Sequence, residues 1–196
     1  MHPEILSISL FWFVTAYTPG PNNVVASYSG FNFGITRTIP HILGVTFGFT
    51  SLVIFLTIGL VNVFKLYPAI QIIIKYLGTL FLVYLAYKIA SSTASKDTQK
   101  DNPVKFIETF LFQYLNPKGV MVAIIVVSTY VELGENYFNY AFQIIALAFL
   151  FSLTSITLWT FVGKFLRKFA TNDKFIKSFN YAMSGLLLLS IITFYI

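Results

Sequence analysis

Apolar residues dominate long stretches of the chain, and short polar stretches divide them into six apolar spans. The spans cover roughly residues 4–27, 39–62, 69–89, 105–130, 138–162 and 178–196. Each approaches or exceeds the about 20 helical residues that cross a hydrocarbon core. Four prolines, Pro3, Pro40, Pro68 and Pro103, lie at or just before the start of a span, where a missing amide hydrogen does not disturb a helix. The pattern predicts an all-α, polytopic membrane protein with six transmembrane helices.

A polar sequence, Thr18-Pro19-Gly20-Pro21-Asn22-Asn23, interrupts the first span. The apolar run before it, residues 4–18, is too short to cross a bilayer, so the interruption lies at membrane depth. The two prolines leave the carbonyls of Thr15 and Tyr17 without helical partners. Irregular backbone at this depth is tolerated only where protein or a water-filled cavity satisfies it. The break is therefore a candidate binding site; the alternative is a proline kink that shapes the bundle and binds nothing.

The fourth span contains a second interruption, Asn116-Pro117-Lys118, and Pro117 frees the carbonyl of Gln113 in the same way. Lys118 follows Phe106 by 12 residues, which is about 18 Å along a helix and places it near mid-membrane. A lysine at that depth costs about 2.5–3.5 kcal/mol on insertion scales, so we take it as a functional candidate. The alternative is a helix that ends here at the membrane interface.

The two interruptions occupy matching positions in the two halves of the chain. Pro19 and Pro117 are 98 residues apart in a chain of 196. We predict one transmembrane domain, residues 1–196, with halves at roughly 1–90 and 105–196 joined by a polar cytoplasmic connection at 91–104. Because three spans reverse the direction of the chain, the second half would be a 3+3 inverted repeat of the first, with broken first and fourth helices. Paired breaks of this kind are typical of substrate sites in secondary transporters.

Composition narrows the function classes. The chain is 57% hydrophobic and 10% charged, against about 25% charged in soluble domains. It has no cysteine, two histidines and seven acidic residues, so we expect no metal site and no cofactor. We find no nucleophile with a base or metal cluster, and predict that the protein is not an enzyme. We do not expect nucleic acid as a partner, because the basic residues lie mainly in the connections between the spans. We do expect the lipid bilayer as a partner, and a homo-oligomer is compatible with the sequence.

The basic residues also predict orientation. Ten lie on the side of the membrane where the second, fourth and sixth spans begin, and only Lys65 and Lys75 lie on the other. By the positive-inside rule the richer side is cytoplasmic, which puts both termini outside. The ten are Arg37, Lys88, Lys96, Lys100, Lys105, Lys164, Arg167, Lys168, Lys174 and Lys177.

Two further ionisable residues are candidate proton carriers. His41 follows Pro40 near the cytoplasmic face, although a lone histidine there is more often simply solvated or hydrogen-bonded. Glu108 lies just inside the fourth span, where pairing with Lys105 one turn away is the alternative. We interpret Gly30-x-x-x-Gly34 and Gly44-x-x-x-Gly48 as helix-packing sequences, since small residues at this spacing let helices approach closely.

Several motifs resemble one family. They are Tyr17-Thr18-Pro19-Gly20-Pro21-Asn22, Gly34-Ile35-Thr36-Arg37, Gly44, Lys75-Tyr76-Leu77-Gly78, Tyr84-Leu85-Ala86-Tyr87 and Phe112-Gln113-Tyr114-Leu115-Asn116-Pro117-Lys118. Together they resemble the LysE-type amino-acid exporters, in the branch that includes homoserine and threonine efflux proteins. The resemblance covers about the first two thirds of the chain and continues faintly at Asn180 and Gly185.

The resemblance implies a six-span exporter in the plasma (inner) membrane of a prokaryote, moving amino acids out of the cytoplasm and coupled to an ion or proton gradient. Lysine and arginine exporters of the family carry an acidic residue in the second span, but residues 39–62 contain none. A neutral amino acid is therefore the better expectation. Helix N-termini beyond the breaks would bind its carboxylate, and the freed carbonyls of Thr15, Tyr17 and Gln113 its ammonium. The alternative is a small channel or exporter for ions or other small solutes.

Overall fold

The computed structural model describes residues 3–92, 103–131, 134–192 and 195, without the side chains of residues 61 and 65. All regular structure in this part is helical, as the sequence predicts. The helices are α1 (Ile5–Tyr17), α2 (Pro21–Phe55), a π-helical turn (Leu56–Leu60), α3 (Val61–Leu66), α4 (Ala69–Ala90), α5 (Phe106–Leu115), α6 (Pro117–Tyr130), α7 (Tyr137–Arg167) and α8 (Asp173–Ile192). The fold is all-α.

Helix lengths and compositions fit a membrane protein. Four helical stretches in the described residues are long and apolar enough to cross a membrane: Pro21–Leu60, Ala69–Ala90, Tyr137–Arg167 and Asp173–Ile192. Helices α5 and α6 form a fifth candidate if they are counted as one span, bent by 62°. Helix α1 is a shorter apolar helix. The protein is therefore a multi-pass membrane protein.

Helix α2 folds back on itself at Gly34. This glycine has φ 75° and ψ 179°, outside helical geometry. Ser29 and Thr38 hydrogen-bond through their side chains at 2.9 Å, although nine residues of straight helix span about 13.5 Å. The helix therefore comprises two packed segments, 21–33 and 35–55. Our assignment of Gly34 to helix packing was wrong: a Cβ there would have no neighbour within 4 Å, and the residue serves the reversal, because glycine adopts positive φ without strain.

The other glycines of the two packing sequences are confirmed as close helix contacts. A Cβ added to Gly30 would lie 2.1 Å from the carbonyl oxygen of Thr160 on α7. A Cβ on Gly44 or Gly48 would meet the backbone of α5 at 2.5–2.6 Å. The first segment of α2 therefore approaches α7 closely at Gly30, and the second segment approaches α5 closely at Gly44 and Gly48.

Some boundaries differ from the sequence-based ones. Helix α7 ends at Arg167, five residues beyond the predicted end of the fifth span. Helix α8 begins at Asp173, five residues before the predicted start of the sixth span. Charged residues there continue the helices, because lysine and arginine are good helix formers. Most of the polar connection predicted at 91–104 lies outside the described residues.

Helices α4 and α8 pack against each other. Ser184 on α8 donates a hydrogen bond to the carbonyl of Ala86 on α4 at 2.9 Å. Phe81 on α4 stacks on Phe112 of α5, with ring centroids 4.7 Å apart. A separate apolar core joins α1, α2, α6 and α7, and includes Ile8, Trp12, Leu52, Val120 and Ile144. The breaks in the first and fourth spans lie between these packed regions.

The close contact at Gly163 predicts a stability difference between two glycine substitutions. A Cβ on Gly163 would lie 1.9 Å from the carbonyl oxygen of Ser27, whereas a Cβ on Gly185 would meet nothing within 4 Å. Gly163→Ala should lower the thermal unfolding temperature of the purified protein. Gly185→Ala should leave it equal or slightly higher, because alanine favours helix by about 1 kcal/mol over glycine. Equal responses of the two variants would contradict this packing.

Candidate functional site

The first break is an extended segment between α1 and α2, and its carbonyls are hydrogen-bonded by side chains. Thr18 (φ −65°, ψ 142°) ends α1, and Gly20 precedes the first residue of α2. The carbonyl oxygen of Ala16 accepts from Asn23 Nδ2 at 2.8 Å and from Ser155 Oγ at 2.7 Å. The carbonyl of Tyr17 accepts from Trp159 Nε1 at 3.3 Å. Helices α2 and α7 thus replace the partners that α1 loses.

Asn23 has a structural position at the centre of this break. Its Nδ2 also donates to the carbonyl of Thr18 at 2.9 Å, and its Oδ1 accepts from Ser155 Oγ at 3.4 Å. The carbonyl of Thr15 accepts from the hydroxyl of Thr18 at 3.1 Å. The carbonyls of Thr15 and Tyr17, which we expected to receive a substrate ammonium, therefore already have partners inside the protein.

The second break brings a lysine to the first. Asn116 has extended backbone (φ −86°, ψ 100°) between α5 and α6, and α6 begins with Pro117 and Lys118. The ammonium of Lys118 donates to Thr18 Oγ1 at 2.9 Å and to the Thr18 carbonyl at 3.4 Å. A Cβ on Gly20 would lie only 3.1 Å from Lys118 Nζ, so the glycine leaves space for the lysine.

A reciprocal pair of amides also joins the two breaks. Asn22 Nδ2 donates to Gln113 Oε1 at 2.8 Å, and Gln113 Nε2 donates to Asn22 Oδ1 at 3.1 Å. Gln113 is fully buried and is further held by a bond to the Thr109 carbonyl at 2.8 Å. Residues 91 positions apart in sequence thus fix the two interruptions side by side.

The two breaks line one cleft, which is bounded by α1, α2, α5, α6 and α7. Eight of the eleven sequence-predicted binding residues lie in its wall. They are Thr15, Gly20, Pro21, Asn22, Asn23, Gln113, Asn116 and Lys118. Pro19 and Pro117 instead line a neighbouring cleft that reaches α8 and shares Gly20, Pro21 and Lys118 with the first. Tyr17 lines neither.

The cleft has a positive and amphipathic lining. Lys118 is the one ionisable side chain among its described lining residues, which include no carboxylate. The N-termini of α2 and α6 open on it, and helix N-termini favour negative charge. Its remaining walls are largely apolar and include Trp12, Phe49 and Phe151. This combination suits a small ligand with a carboxylate and a short uncharged body.

Two buried polar atoms in the wall have no hydrogen-bond partner among the described residues. They are the indole Nε1 of Trp12, a donor, and Oδ1 of Asn116, an acceptor. Trp12 is 1% exposed and Asn116 is 3% exposed. A buried polar group without a partner costs about 1–3 kcal/mol, so both atoms would gain from a partner supplied by a bound molecule.

The two candidate proton carriers lie in different environments. His41 is buried, and its ring lies beside the backbone of Asn22. It therefore lies behind the first break. Neither ring nitrogen has a hydrogen-bond partner among the described residues. Glu108 accepts from the backbone amide of Lys105 at 2.9 Å and caps the N-terminus of α5. Glu108 therefore pairs with Lys105 as the alternative predicted, but through the backbone amide of Lys105. No group of three or more metal-ligating side chains occurs in the described residues.

Sequence reasoning missed four residues that build the site. Ser155 and Trp159 on α7 hold the first break, while Trp12 and Phe49 line the cleft. Ser155 and Trp159 are four residues apart and therefore share a helix face. Polar groups at this spacing in an apolar helix were the signal that could have identified them.

Comparison with known proteins gives the family. The model of the LysE type translocator family matches residues 13–194. The chain belongs to the LysE type translocator family. Similar relatives of this LysE type translocator include the cysteine/O-acetylserine efflux protein of Salmonella choleraesuis (strain SC-B67), 29% identical over 86% of this chain and 87% of that protein. The protein of the same name from Escherichia coli O1:K1 / APEC is 32% identical over 67% of this chain and 68% of its own length. No solved structure matches significantly.

Proposed function

We propose that this LysE type translocator exports small neutral amino acids from the cytoplasm through one site between its two broken helices. The observation that carries the proposal is the junction of the breaks at one polar cleft, through Asn22 with Gln113 and Lys118 with Thr18. Relatives named for efflux of cysteine and O-acetylserine support amino acids as the substrate class.

The substrate carboxylate binds near Lys118. This lysine is half-buried, and its ammonium lines the cleft between two helix N-termini. Among the described residues, the ammonium hydrogen-bonds only to Thr18. Neither Thr18 atom carries a formal charge, so Lys118 has no carboxylate partner there. A substrate carboxylate supplies that counter-charge, and a charge-assisted hydrogen bond is about twice as strong as a neutral one.

The substrate ammonium binds at the amide oxygen of Asn116. This acceptor is buried and unpartnered among the described residues, whereas the carbonyls of Thr15 and Tyr17 already accept bonds from Thr18 and Trp159. A cationic side chain would meet no carboxylate in the described lining and would face Lys118. The lining therefore favours a neutral amino acid over lysine or arginine.

Chain directions support six spans that alternate in direction. Segment 21–33 runs parallel to α7, because Asn23 contacts Ser155 at 3.4 Å and Phe31 lies under Arg167, with the guanidinium 5.3 Å from the ring centroid. The first and fifth of six alternating spans have this same direction. The two helical segments 21–33 and 35–55 count as two spans, because the chain reverses its direction at Gly34.

The packing of α4 and α8 agrees with the same topology. Ala86 contacts Ser184, and Thr79 contacts Tyr195 at 3.1 Å, so the two chains run antiparallel. The third and sixth of six alternating spans have opposite directions. We therefore propose six spans in a 3+3 inverted repeat, whose halves rock about the cleft to expose it alternately to each side of the membrane.

Removal of the Lys118 charge should abolish export. Cells loaded with threonine-containing dipeptides and expressing Lys118→Met should release threonine at least ten-fold more slowly than cells expressing the wild type, since the carboxylate loses its counter-charge. Lys174→Met removes an exposed lysine from the first turn of α8 and should export normally at equal abundance. Release of lysine or arginine but not of threonine by the wild type would reject the neutral-substrate proposal.

The proposed orientation, with both termini outside, is testable because the chain lacks cysteine. Ser7 and Ser91 are both exposed in the structure, so a cysteine can be introduced at either position. In intact cells an impermeant thiol reagent should label Ser7→Cys and leave Ser91→Cys unlabelled until the membrane is permeabilised. Labelling of Ser91→Cys alone in intact cells would reverse the orientation.

Export is proposed to be driven by an ion or proton gradient, with His41 as the proton carrier beside the first break. Glu108 is the weaker candidate, because its carboxylate caps α5. In proteoliposomes an imposed pH gradient should accelerate threonine transport by the wild type. His41→Gln should transport at the rate measured without a gradient, while Glu108→Gln should keep its response. A wild-type rate independent of the pH gradient would exclude proton coupling.

A further inference from the structure

Trp12 occupies an unusual position for a tryptophan in a membrane protein. Tryptophans concentrate at membrane interfaces, where the ring is buried and the N–H reaches water. Trp12 is 1% exposed, and Ile8 and Trp12 are the buried residues of α1. Its Nε1 has no partner in the described part of the chain although the ring lines the cleft. A buried indole N–H normally has a partner, so this donor points to a ligand.

The side chains that carry the unpartnered donor and the unpartnered acceptor, Trp12 and Asn116, line the same cleft. The ring of Trp12 meets that of Phe49 edge-on, with centroids 5.5 Å apart. A Cβ on Gly119 would lie 3.5 Å from both the Phe49 ring and the Asn116 amide. Phe49, which contacts Trp12, and Asn116 thus both border the space beside Gly119, while Lys118 donates to Thr18.

The second tryptophan provides an internal comparison. Trp159 Nε1 already donates to the carbonyl of Tyr17 at 3.3 Å. The chain contains two tryptophans. One indole N–H is therefore structural, while the other has no partner among the described residues. Because Trp159 has a partner in the protein and Trp12 has none among the described residues, only Trp12 is a candidate for binding a ligand through its N–H.

We propose that the indole N–H of Trp12 hydrogen-bonds an oxygen on the side chain of the substrate, which makes Trp12 a specificity-determining residue for small amino acids that carry a hydroxyl or carbonyl. The inference rests on the proposed export function and adds the chemistry of the side chain. With the carboxylate at Lys118 and the ammonium at Asn116 Oδ1, the unpartnered N–H of Trp12 is left for an oxygen of the side chain. Sites that hydrogen-bond a substrate oxygen discriminate against the isostere that lacks it, because the buried donor is then left unpaired.

Threonine and valine test the proposal, since they have the same shape and differ by a hydroxyl and a methyl group. Purified wild-type protein should bind threonine at least ten-fold more tightly than valine. Trp12→Phe keeps a ring against Phe49 but removes the N–H, and should bind the two amino acids within about two-fold of each other. Tyr84→Phe is the control: it removes a polar hydrogen from an exposed aromatic ring outside the cleft and should keep the wild-type preference.

The wild-type protein offers a second readout that does not depend on the folding of a variant. With ¹⁵N-labelled indoles the spectrum contains one N–H signal for each tryptophan. Threonine should shift the Trp12 signal downfield and leave the Trp159 signal in place, and valine should produce a much smaller shift. Threonine binding with an unmoved Trp12 signal, or an unchanged threonine preference in Trp12→Phe, would overturn the inference and leave export intact. Failure of the wild type to bind or export any amino acid would instead reject the proposed function.

Discussion

A helix broken inside a bilayer must find hydrogen-bond partners within the protein, because hydrocarbon offers none. Side chains from two other helical segments meet this requirement at the first break. Asn23 and Ser155 donate to the carbonyl of Ala16, and Trp159 donates to the carbonyl of Tyr17. The constraint explains why α7 packs so closely along the first segment of α2, with glycine at the point of contact. The packing of the bundle follows from the need to satisfy these backbone groups.

The proposed site rests on the polar groups that the described residues leave without a complementary partner. Asn22 and Gln113 bond to each other and thereby hold the two breaks together. Lys118 contacts only uncharged atoms of Thr18 in the described structure, and the wall also holds a free acceptor and a free donor. A zwitterion has the groups that would complement these three. In the proposed site, the residues that build the breaks therefore differ from those that would bind the substrate, although both kinds come from the same short sequences.

The sequence predicted the positions of both breaks because proline removes a backbone donor wherever it occurs. It also predicted the helical class, since only helices and closed β-barrels satisfy all backbone groups of a chain that spans a membrane. It did not predict that Asn22 pairs with Gln113, because that contact depends on how distant segments pack. Gly34 was misread for a related reason: its spacing from Gly30 matched a packing sequence, and positive φ is visible only in the folded chain.

The central claim is that both breaks contribute to one substrate site, with Lys118 of the second half as the carboxylate partner. The most direct measurement compares the binding of threonine and its uncharged-carboxyl analogue, threonine amide, by calorimetry on the wild type and on Lys118→Met. Amidation should weaken binding to the wild type at least ten-fold and should have little effect on binding to Lys118→Met, because the lysine acts through the carboxylate. An equal loss in both proteins would show that Lys118 does not contact the carboxylate and would contradict the account.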